Sequence, residues 1–150
     1  RLDEEISRAY RDRYKLALML VSIEFPEGMD NLVRMVRMDD YLYNVGQAMR
    51  GHVRKMDVMA RFGETCFALL MPHTAGHATV VAGRLQEIIA LVEIDSGRRG
   101  QKFTASAHIG IAKYSVDASG SRDLLAKAAE NLGVPLETLE GGQAPLKKAA

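Results

Sequence analysis

Two charged side chains have the types and spacing needed to recognise a small polar ligand. Arg54 and Asp57 stand three residues apart, after a long segment with helical apolar spacing. A guanidinium donates several hydrogen bonds from a rigid fork and a carboxylate accepts them, so the pair could bind a group with complementary edges. The same spacing is common in surface ion pairs at helix ends, so these two residues alone leave ligand binding and simple ion pairing open.

The residues that commonly bind metals or act as nucleophiles give weaker signals. His73 and His77 are four residues apart, but no acid stands in suitable register with them, so a zinc site is not expected. Cys66 is the only cysteine, which excludes an internal disulfide and fits a reducing compartment. It is expected to be a small, half-buried apolar side chain rather than a reactive thiol. We therefore expect no metal and no cofactor.

Length and charge limit the classes of function. At 150 residues the chain is long enough for one domain with its own core. Its net charge of +1 gives no electrostatic argument for binding nucleic acid or a membrane surface. No apolar run approaches the roughly 20 residues that span a bilayer. Because the chain begins within an apparent helix and without an initiator Met, we expect a cytoplasmic fragment of a longer protein, which could itself be membrane-anchored.

Helical apolar spacing predicts four main helices, over residues 2–14, over 30–53 with Asp30 as its cap, after a cap at Thr74, and over 121–132. The side chains expected on the core faces of the first two helices are Leu2, Ile6, Ala9 and Tyr10, and Leu32, Met35, Val36, Leu42, Val45, Met49 and Val53.

Apolar runs between the helices predict strands. Leu16–Ile23 has no polar face, which predicts a buried central strand, although its Leu and Met content would also suit a helix. Asp57–Arg61 and Cys66–Met71 flank a glycine-containing turn and form a predicted hairpin. Phe103–Ala112 alternates well enough for a strand, with Gly110 as a candidate bulge.

This order of elements predicts the α+β class, with a mostly antiparallel central sheet flanked by helices. We expect one domain over residues 1–135, with a turn at Arg98–Gly100. Residues 136–150, which contain two adjacent glycines and a proline, are expected to form a flexible tail.

The predicted hairpin turn carries the sequence Arg61-Phe62-Gly63-Glu64-Thr65-Cys66-Phe67. This run resembles the Arg-(Tyr/Phe)-Gly-Gly-Asp-Glu-Phe signature of GGDEF domains, the bacterial diguanylate cyclases. Gly63 and Phe67 match that signature, whereas Glu64, Thr65 and Cys66 replace its second Gly, its Asp and its Glu. The resemblance extends over roughly residues 8–132 and includes strand-like segments similar to those of the family at Leu16–Glu24 and Ala107–Ala112.

The resemblance also implies that cyclase catalysis is lost. Joining two GTP molecules requires divalent metal, and Mg²⁺ prefers carboxylate oxygen. Ser22 and Cys66 stand where the family has its metal-binding carboxylates, and neither is a good replacement. Glu24 lies two residues further on the same strand face. Asp30 replaces a guanine-binding Asn, whereas Asp39 matches a second guanine contact and is the residual nucleotide contact that we expect.

One site of the family is retained. Arg54-Lys55-Met56-Asp57 matches the Arg-x-x-Asp inhibitory site, which in the family binds cyclic di-GMP, and Arg84 resembles its second arginine. An Arg can bind guanine O6 and N7, while a carboxylate can accept from N1 and N2. The leading hypothesis is therefore an inactive, degenerate GGDEF-like receptor for cyclic di-GMP within a larger bacterial signalling protein.

Two alternatives remain open. The first is a ligand-free module for dimerisation or for contact with neighbouring signalling domains. The second is a weakly active cyclase, or a GTP-sensing domain, that uses Asp39 and Glu24.

Overall fold

The predicted helices and strands occur in the predicted order, and three further strands, a 3₁₀ turn and a short helix are added. The computed structural model describes residues 2–73, 75–95, 101–114, 120–140 and 147–148. The elements are α1 (Leu2–Asp12), β1 (Leu16–Glu24), α2 (Asn31–Arg50), β2 (Val58–Phe62), β3 (Cys66–Pro72), a 3₁₀ turn (Ala75–His77), α3 (Ala78–Ala90), β4 (Glu93–Asp95), β5 (Lys102–Thr104), β6 (Ser106–Lys113), α4 (Ser121–Leu132), α5 (Leu136–Glu140) and β7 (Lys147–Lys148).

The main sheet confirms the predicted α+β class. Its strand order is β6-β1-β3-β2-β7, and every neighbouring pair is antiparallel. β1 lies between β6 and β3, so the apolar run from Leu16 is a central strand, as predicted. β2 and β3 form the predicted hairpin.

Both faces of β1 are buried, which explains why its sequence has no polar face. Alternate residues such as Met19 and Val21 face a core shared with α2 and α3. The intervening residues, such as Leu18 and Leu20, face a second core shared with α1, α4 and α5. The sheet is therefore the middle layer between two groups of helices.

Helix α2 differs from its prediction in length and in orientation. Asp30 caps it, since its Oδ1 accepts a hydrogen bond from the Leu32 amide at 2.8 Å, but the helix ends at Arg50 instead of residue 53 because the chain turns at Gly51. Only the C-terminal part of the predicted apolar face is buried, at Leu42, Val45 and Met49. The prediction was wrong for the N-terminal part, because Leu32, Met35 and Val36 point to solvent.

The segment predicted as one strand over residues 103–112 is two strands in different sheets. The strand is interrupted at Ala105. β5, which precedes it, pairs with β4, a short strand that was not predicted. β6 keeps an unbroken register with β1, so the candidate bulge at Gly110 was wrong. Gly110 is required for another reason: a Cβ there would collide with the backbone of α4 at Ala128 and Leu132.

The remaining differences concern the two ends of the chain. Tyr10 is 77% exposed, so its assignment to the core face of α1 was wrong. Residues 136–140, expected as part of a flexible tail, form α5, whose Leu136 is buried against the second core. The predicted cap at Thr74 and the turn at Arg98–Gly100 lie outside the described residues.

No helix among the described residues is long and apolar enough to cross a membrane.

Candidate functional site

The signature hairpin and the Arg54–Asp57 pair lie at opposite ends of β3. Cys66 begins β3 at the hairpin turn. At the other end the carbonyl oxygen of Pro72 accepts a hydrogen bond from Arg54 Nη2 at 2.5 Å. The two ends are six positions apart along the strand, which corresponds to about 20 Å at about 3.3 Å per residue. A ligand at Arg54 is therefore remote from the signature turn.

The turn of the signature hairpin is held closed by the chain itself. Arg61 Nη2 donates to the Glu64 carbonyl at 2.6 Å, and the Thr65 carbonyl accepts from the Ile23 amide at 2.9 Å. Gly63 has a φ of +74° and is packed from behind by Leu139, so a Cβ at this position would lie 2.5 Å from the Leu139 carbonyl oxygen. These contacts fix the turn, in which Glu64 is exposed and Arg61 and Thr65 are partly exposed.

The two positions matched to metal-binding carboxylates are neighbours in the sheet, but they carry poor ligands. Ser22 and Cys66 pair across β1 and β3. Cys66 is 1% exposed, and its burial raises the pKa of the thiol to about 12. A neutral thiol in an apolar environment does not replace the carboxylate oxygen that Mg²⁺ requires. Glu24, two residues after Ser22, is paired with His108 across β1 and β6, where both side chains are exposed.

The predicted ligand residues meet at a single cavity. Arg54 and Asp57 lie in the connection between α2 and β2, and Arg84 approaches from α3. The cavity has a volume of about 220 Å³ and is lined by His52, Val53, Arg54, Asp57, Met71, His73, His77, Val81 and Arg84. Two guanidinium groups against one carboxylate give the cavity lining a net positive charge, which suits an anionic ligand.

Asp57 is positioned to hold Arg54 and does not face solvent. Its Oδ2 accepts from the Arg54 amide at 2.8 Å, and its Oδ1 accepts from Arg54 Nη2 at 3.2 Å. The Asp57 side chain is 1% exposed, whereas the Arg54 side chain is 45% exposed. Among the residues that the structure describes, only Nη2 of the Arg54 side chain donates to a protein acceptor, so Nε and Nη1 are available to donate to a ligand.

Sequence reasoning missed the histidines of this cavity, and His73 in particular. His73 directly follows Pro72 and has a φ of +62°. Its ring stacks on Tyr14 with a centroid distance of 3.8 Å, and its amide donates to the Lys15 carbonyl at 2.9 Å. The cavity is thereby connected to the junction between α1 and β1. The spacing of His73 and His77 was visible in the sequence, but their approach to Arg54 depends on the β3–α3 connection.

Asp39, the predicted residual nucleotide contact, does not belong to this cavity. It is exposed on the surface of α2. The structure therefore brings together Arg54, Asp57 and Arg84, and leaves Asp39 apart from them.

Comparisons with known proteins confirm the resemblance found in the sequence. Residues 1–135 match the family described as diguanylate cyclase, GGDEF domain. The GGDEF domain of YfiN (or TpbB) from Pseudomonas aeruginosa has a similar structure, with a TM-score of 0.78 and 24% identity, covering 100% of this chain and 88% of that chain. Among curated proteins, no sequence match is found.

Two further solved structures with this fold carry a ligand or a partner. The coiled coil and GGDEF domain of DgcB from Caulobacter crescentus was solved in complex with c-di-GMP; its TM-score is 0.69 at 15% identity, covering 94% of this chain and 73% of that one. The diguanylate cyclase SiaD from Pseudomonas aeruginosa was solved in complex with its activator SiaC; its TM-score is 0.71 at 20% identity, covering 87% of this chain and 50% of that one. At these identities the likeness is one of fold.

Proposed function

The chain belongs to the GGDEF family of diguanylate cyclases, and from that premise we propose that it is a catalytically inactive member that binds cyclic di-GMP at Arg54 and Arg84. Asp57 completes the site. In this proposal the domain works as a receptor within a larger bacterial signalling protein, on the cytoplasmic side of the membrane.

The proposed loss of catalysis rests on the chemistry at the signature hairpin. Cyclase chemistry needs metal-bound carboxylates to neutralise phosphate charge and to help ionise the attacking hydroxyl. Ser22 supplies a neutral hydroxyl, and Cys66 supplies a buried thiol whose pKa of about 12 keeps it protonated at neutral pH. Glu64 adds a negative charge at the turn, where a triphosphate would be repelled.

The observation that carries the proposed ligand is the cationic cavity at the far end of β3. Cyclic di-GMP has two phosphates and two guanine edges, so a site for it needs cations converging from different elements. Arg54 and Arg84 provide this convergence, and three histidines line the same cavity. The structure of DgcB with c-di-GMP supports this class of ligand for the family.

The roles of the side chains follow from their burial. Arg54 presents a partly exposed fork that can bind guanine O6 and N7 or stack on the base. Arg84 acts as the phosphate partner. Asp57 is a positioning residue, because both of its oxygens already accept from Arg54. The cavity of about 220 Å³ is smaller than ordinary ligand pockets of about 300–1,000 Å³, so one guanine enters and the other half of the ligand lies over the rim.

Calorimetric titration with cyclic di-GMP tests the ligand part of the proposal. Arg54→Ala removes a bidentate donor and is expected to weaken binding by about 1–3 kcal/mol, roughly ten- to a hundredfold. Arg84→Ala is expected to weaken it as well. Glu64→Ala is the matched control at the remote hairpin and leaves affinity unchanged. Equal losses for the hairpin variant and the arginine variants would contradict the assignment of the site.

A chromatographic assay tests the catalytic part separately. Wild-type protein incubated overnight with GTP and Mg²⁺ is expected to form no cyclic di-GMP. Product that disappears in a Glu24→Ala variant would instead support the alternative of a weak cyclase that uses Glu24 and Asp39. Binding of GTP that Asp39→Ala abolishes would support the GTP-sensing alternative.

A second candidate function is a ligand-free interaction module, and the exposed apolar residues of α2 favour it. Leu32, Met35 and Val36 lie on the surface although their residue types belong in a core. This candidate predicts that no cyclic dinucleotide binds at any practical concentration, so the calorimetric titration separates it from the receptor.

A further inference from the structure

Three histidines line the cavity at Arg54, and the fold does not use their ring nitrogens. His52 lies just beyond α2, His73 just beyond β3, and His77 just before α3. All three are exposed. Within the described part of the chain, none of their side chains makes a hydrogen bond or an ion pair. The three imidazoles are therefore free to bind a ligand and to exchange protons with solvent.

His73 is the histidine that the fold positions most closely. Its amide donates to the Lys15 carbonyl at 2.9 Å, and its ring stacks on Tyr14 with a centroid distance of 3.8 Å and an interplanar angle of 28°. Stacking occupies the face of the imidazole and leaves both ring nitrogens at its edge, where they can donate to a ligand. A tyrosine face also attracts a cation, so this contact accommodates the protonated ring.

The charges around the three histidines favour an anion in the cavity. Arg54, Arg84 and Asp57 leave the lining with one excess positive charge when the histidines are neutral, and each protonated histidine adds another. His77 also stands at the N-terminus of α3, the positive end of the helix dipole. On the far side of His73, the charges acting on Tyr14 are two of each sign: Glu5, Asp12, Arg8 and Arg11. Added positive charge is thus unfavourable in the empty cavity and favourable beside a bound anion.

We propose that these three histidines bind the phosphates of cyclic di-GMP in their protonated form, so that the affinity of the site rises as the pH falls. The histidines line the same cavity, and so their role rests on the proposed function. Histidine is the side chain that normally changes its charge between about pH 8 and about pH 5. Guanidinium groups and the phosphodiesters of the ligand keep their charges across that range. Binding then takes up protons, and by linkage the affinity falls as the pH rises and the histidines become neutral.

A shared metal ion is the other common role of clustered histidines, and the geometry does not favour it here. A protein site for zinc requires at least three ligands around one point. Among the described residues, no group of three or more His, Cys, Asp or Glu side chains could hold a metal ion. Anion binding requires only that each imidazole reach some part of the ligand, and the three histidines approach from three different segments of the chain.

Calorimetric titration with cyclic di-GMP at about pH 8 and about pH 5.5, at constant ionic strength, measures the effect. The protein carries no histidine tag, and the buffers contain EDTA. A single exposed ion pair changes affinity only about two- to fivefold, so three acting together are expected to give binding about tenfold tighter at the lower pH. Titrations at an intermediate pH in two buffers of different ionisation enthalpy are expected to show net proton uptake.

A triple variant tests whether the cavity histidines cause this effect. His52→Gln, His73→Asn and His77→Gln keep polar side chains but remove the titratable groups, and Asn is chosen at residue 73 because it tolerates the φ of +62° there. The ratio of affinities at the two pH values is expected to fall close to one. His108→Gln is the matched control and keeps the wild-type ratio, because His108 is an exposed histidine paired with Glu24 outside the cavity.

The possible results separate this pH dependence from the receptor function. Wild-type affinity that is equal at the two pH values, or a triple variant that retains the wild-type ratio, would overturn the role of the histidines and leave the receptor function standing. No binding of cyclic di-GMP at either pH would overturn the receptor function, and the role of the histidines with it. Circular dichroism of each protein at both pH values confirms that the fold is retained.

Discussion

Replacing Asp57 by Asn tests whether this carboxylate positions Arg54 or binds the ligand itself. The amide keeps the shape of the side chain but loses its charge, and it can accept through only one of its two terminal atoms. In the wild-type protein both oxygens accept from Arg54, one from its amide at 2.8 Å and one from its Nη2 at 3.2 Å. The substitution therefore removes at least one charge-assisted hydrogen bond from a buried group.

The expected loss of unfolding free energy in Asp57→Asn depends on how far the Asp57 and Arg54 side chains are buried. A hydrogen bond to a charged group contributes about 1.5–3 kcal/mol to stability. Because the Arg54 side chain is 45% exposed, solvent screens the ion pair, and a loss of about 1–2 kcal/mol of unfolding free energy is expected. For a chain of this size that loss lowers the melting temperature by roughly 2–8 °C. The Arg54 fork is then no longer held, so affinity for cyclic di-GMP is expected to fall about tenfold.

Calorimetric titrations of Asp57→Asn with cyclic di-GMP and with cyclic di-AMP distinguish the two roles. If Asp57 is a positioning residue, the substitution lowers stability and affinity but leaves the preference for guanine over adenine unchanged, because the carboxylate would make no contact with the base. A residue that accepts from guanine N1 and N2 would instead relax that preference and leave the melting temperature nearly unchanged. The second pattern would refute the assignment of Asp57 as a positioning residue.

The remaining predictions concern the core and the connection to α1. Cys66 is expected to resist alkylation in the folded protein at pH 8, because burial raises its pKa to about 12; mass spectrometry should detect labelling only after unfolding. The same shift means that the unfolded thiol ionises first, so Cys66 contributes to a fall in unfolding free energy as the pH rises above about 9, and the fall should be smaller in Cys66→Ala. Gly110→Ala is expected to destabilise the fold by several kcal/mol or to prevent folding, because β6 packs directly on α4; a denaturant melt that matches wild type would contradict this close approach. Tyr14→Trp introduces the chain's only tryptophan beside His73, and its emission is expected to change when cyclic di-GMP binds; an unchanged spectrum at saturating ligand would contradict contact between ligand and His73.

Sequence predicted the elements of this fold better than it predicted which faces they bury. The unbroken apolar run of β1 required a strand covered on both sides, and the structure has one. Spacing in α2 identified a helix, but it could not show that Leu32 and Val36 lie on the outer face, because both faces of that helix carry apolar residues. The break at Ala105 was also hidden, since the apolar pattern continues from β5 into β6 while the pairing partner changes.

The sequence predicted which charged residues form the candidate site, but not how they are buried or which histidines join them. Arg54, Asp57 and Arg84 were found through their resemblance to a family motif, and the structure brings them to one cavity. The burial of Asp57 and the approach of His73 depend on where β3 ends and α3 begins, which local spacing does not encode. Ion pairing between Arg54 and Asp57 is compatible with the proposed ligand site. Asp57 holds Arg54 through its amide and Nη2, and the Arg54 side chain stays 45% exposed.

Titration of the wild-type chain with cyclic di-GMP, compared directly with Arg54→Ala under the same conditions, tests the central claim most directly. The receptor proposal predicts saturable heat with wild-type protein and a loss of affinity of roughly ten- to a hundredfold for the variant. A flat titration of the wild-type protein at high micromolar ligand would contradict it.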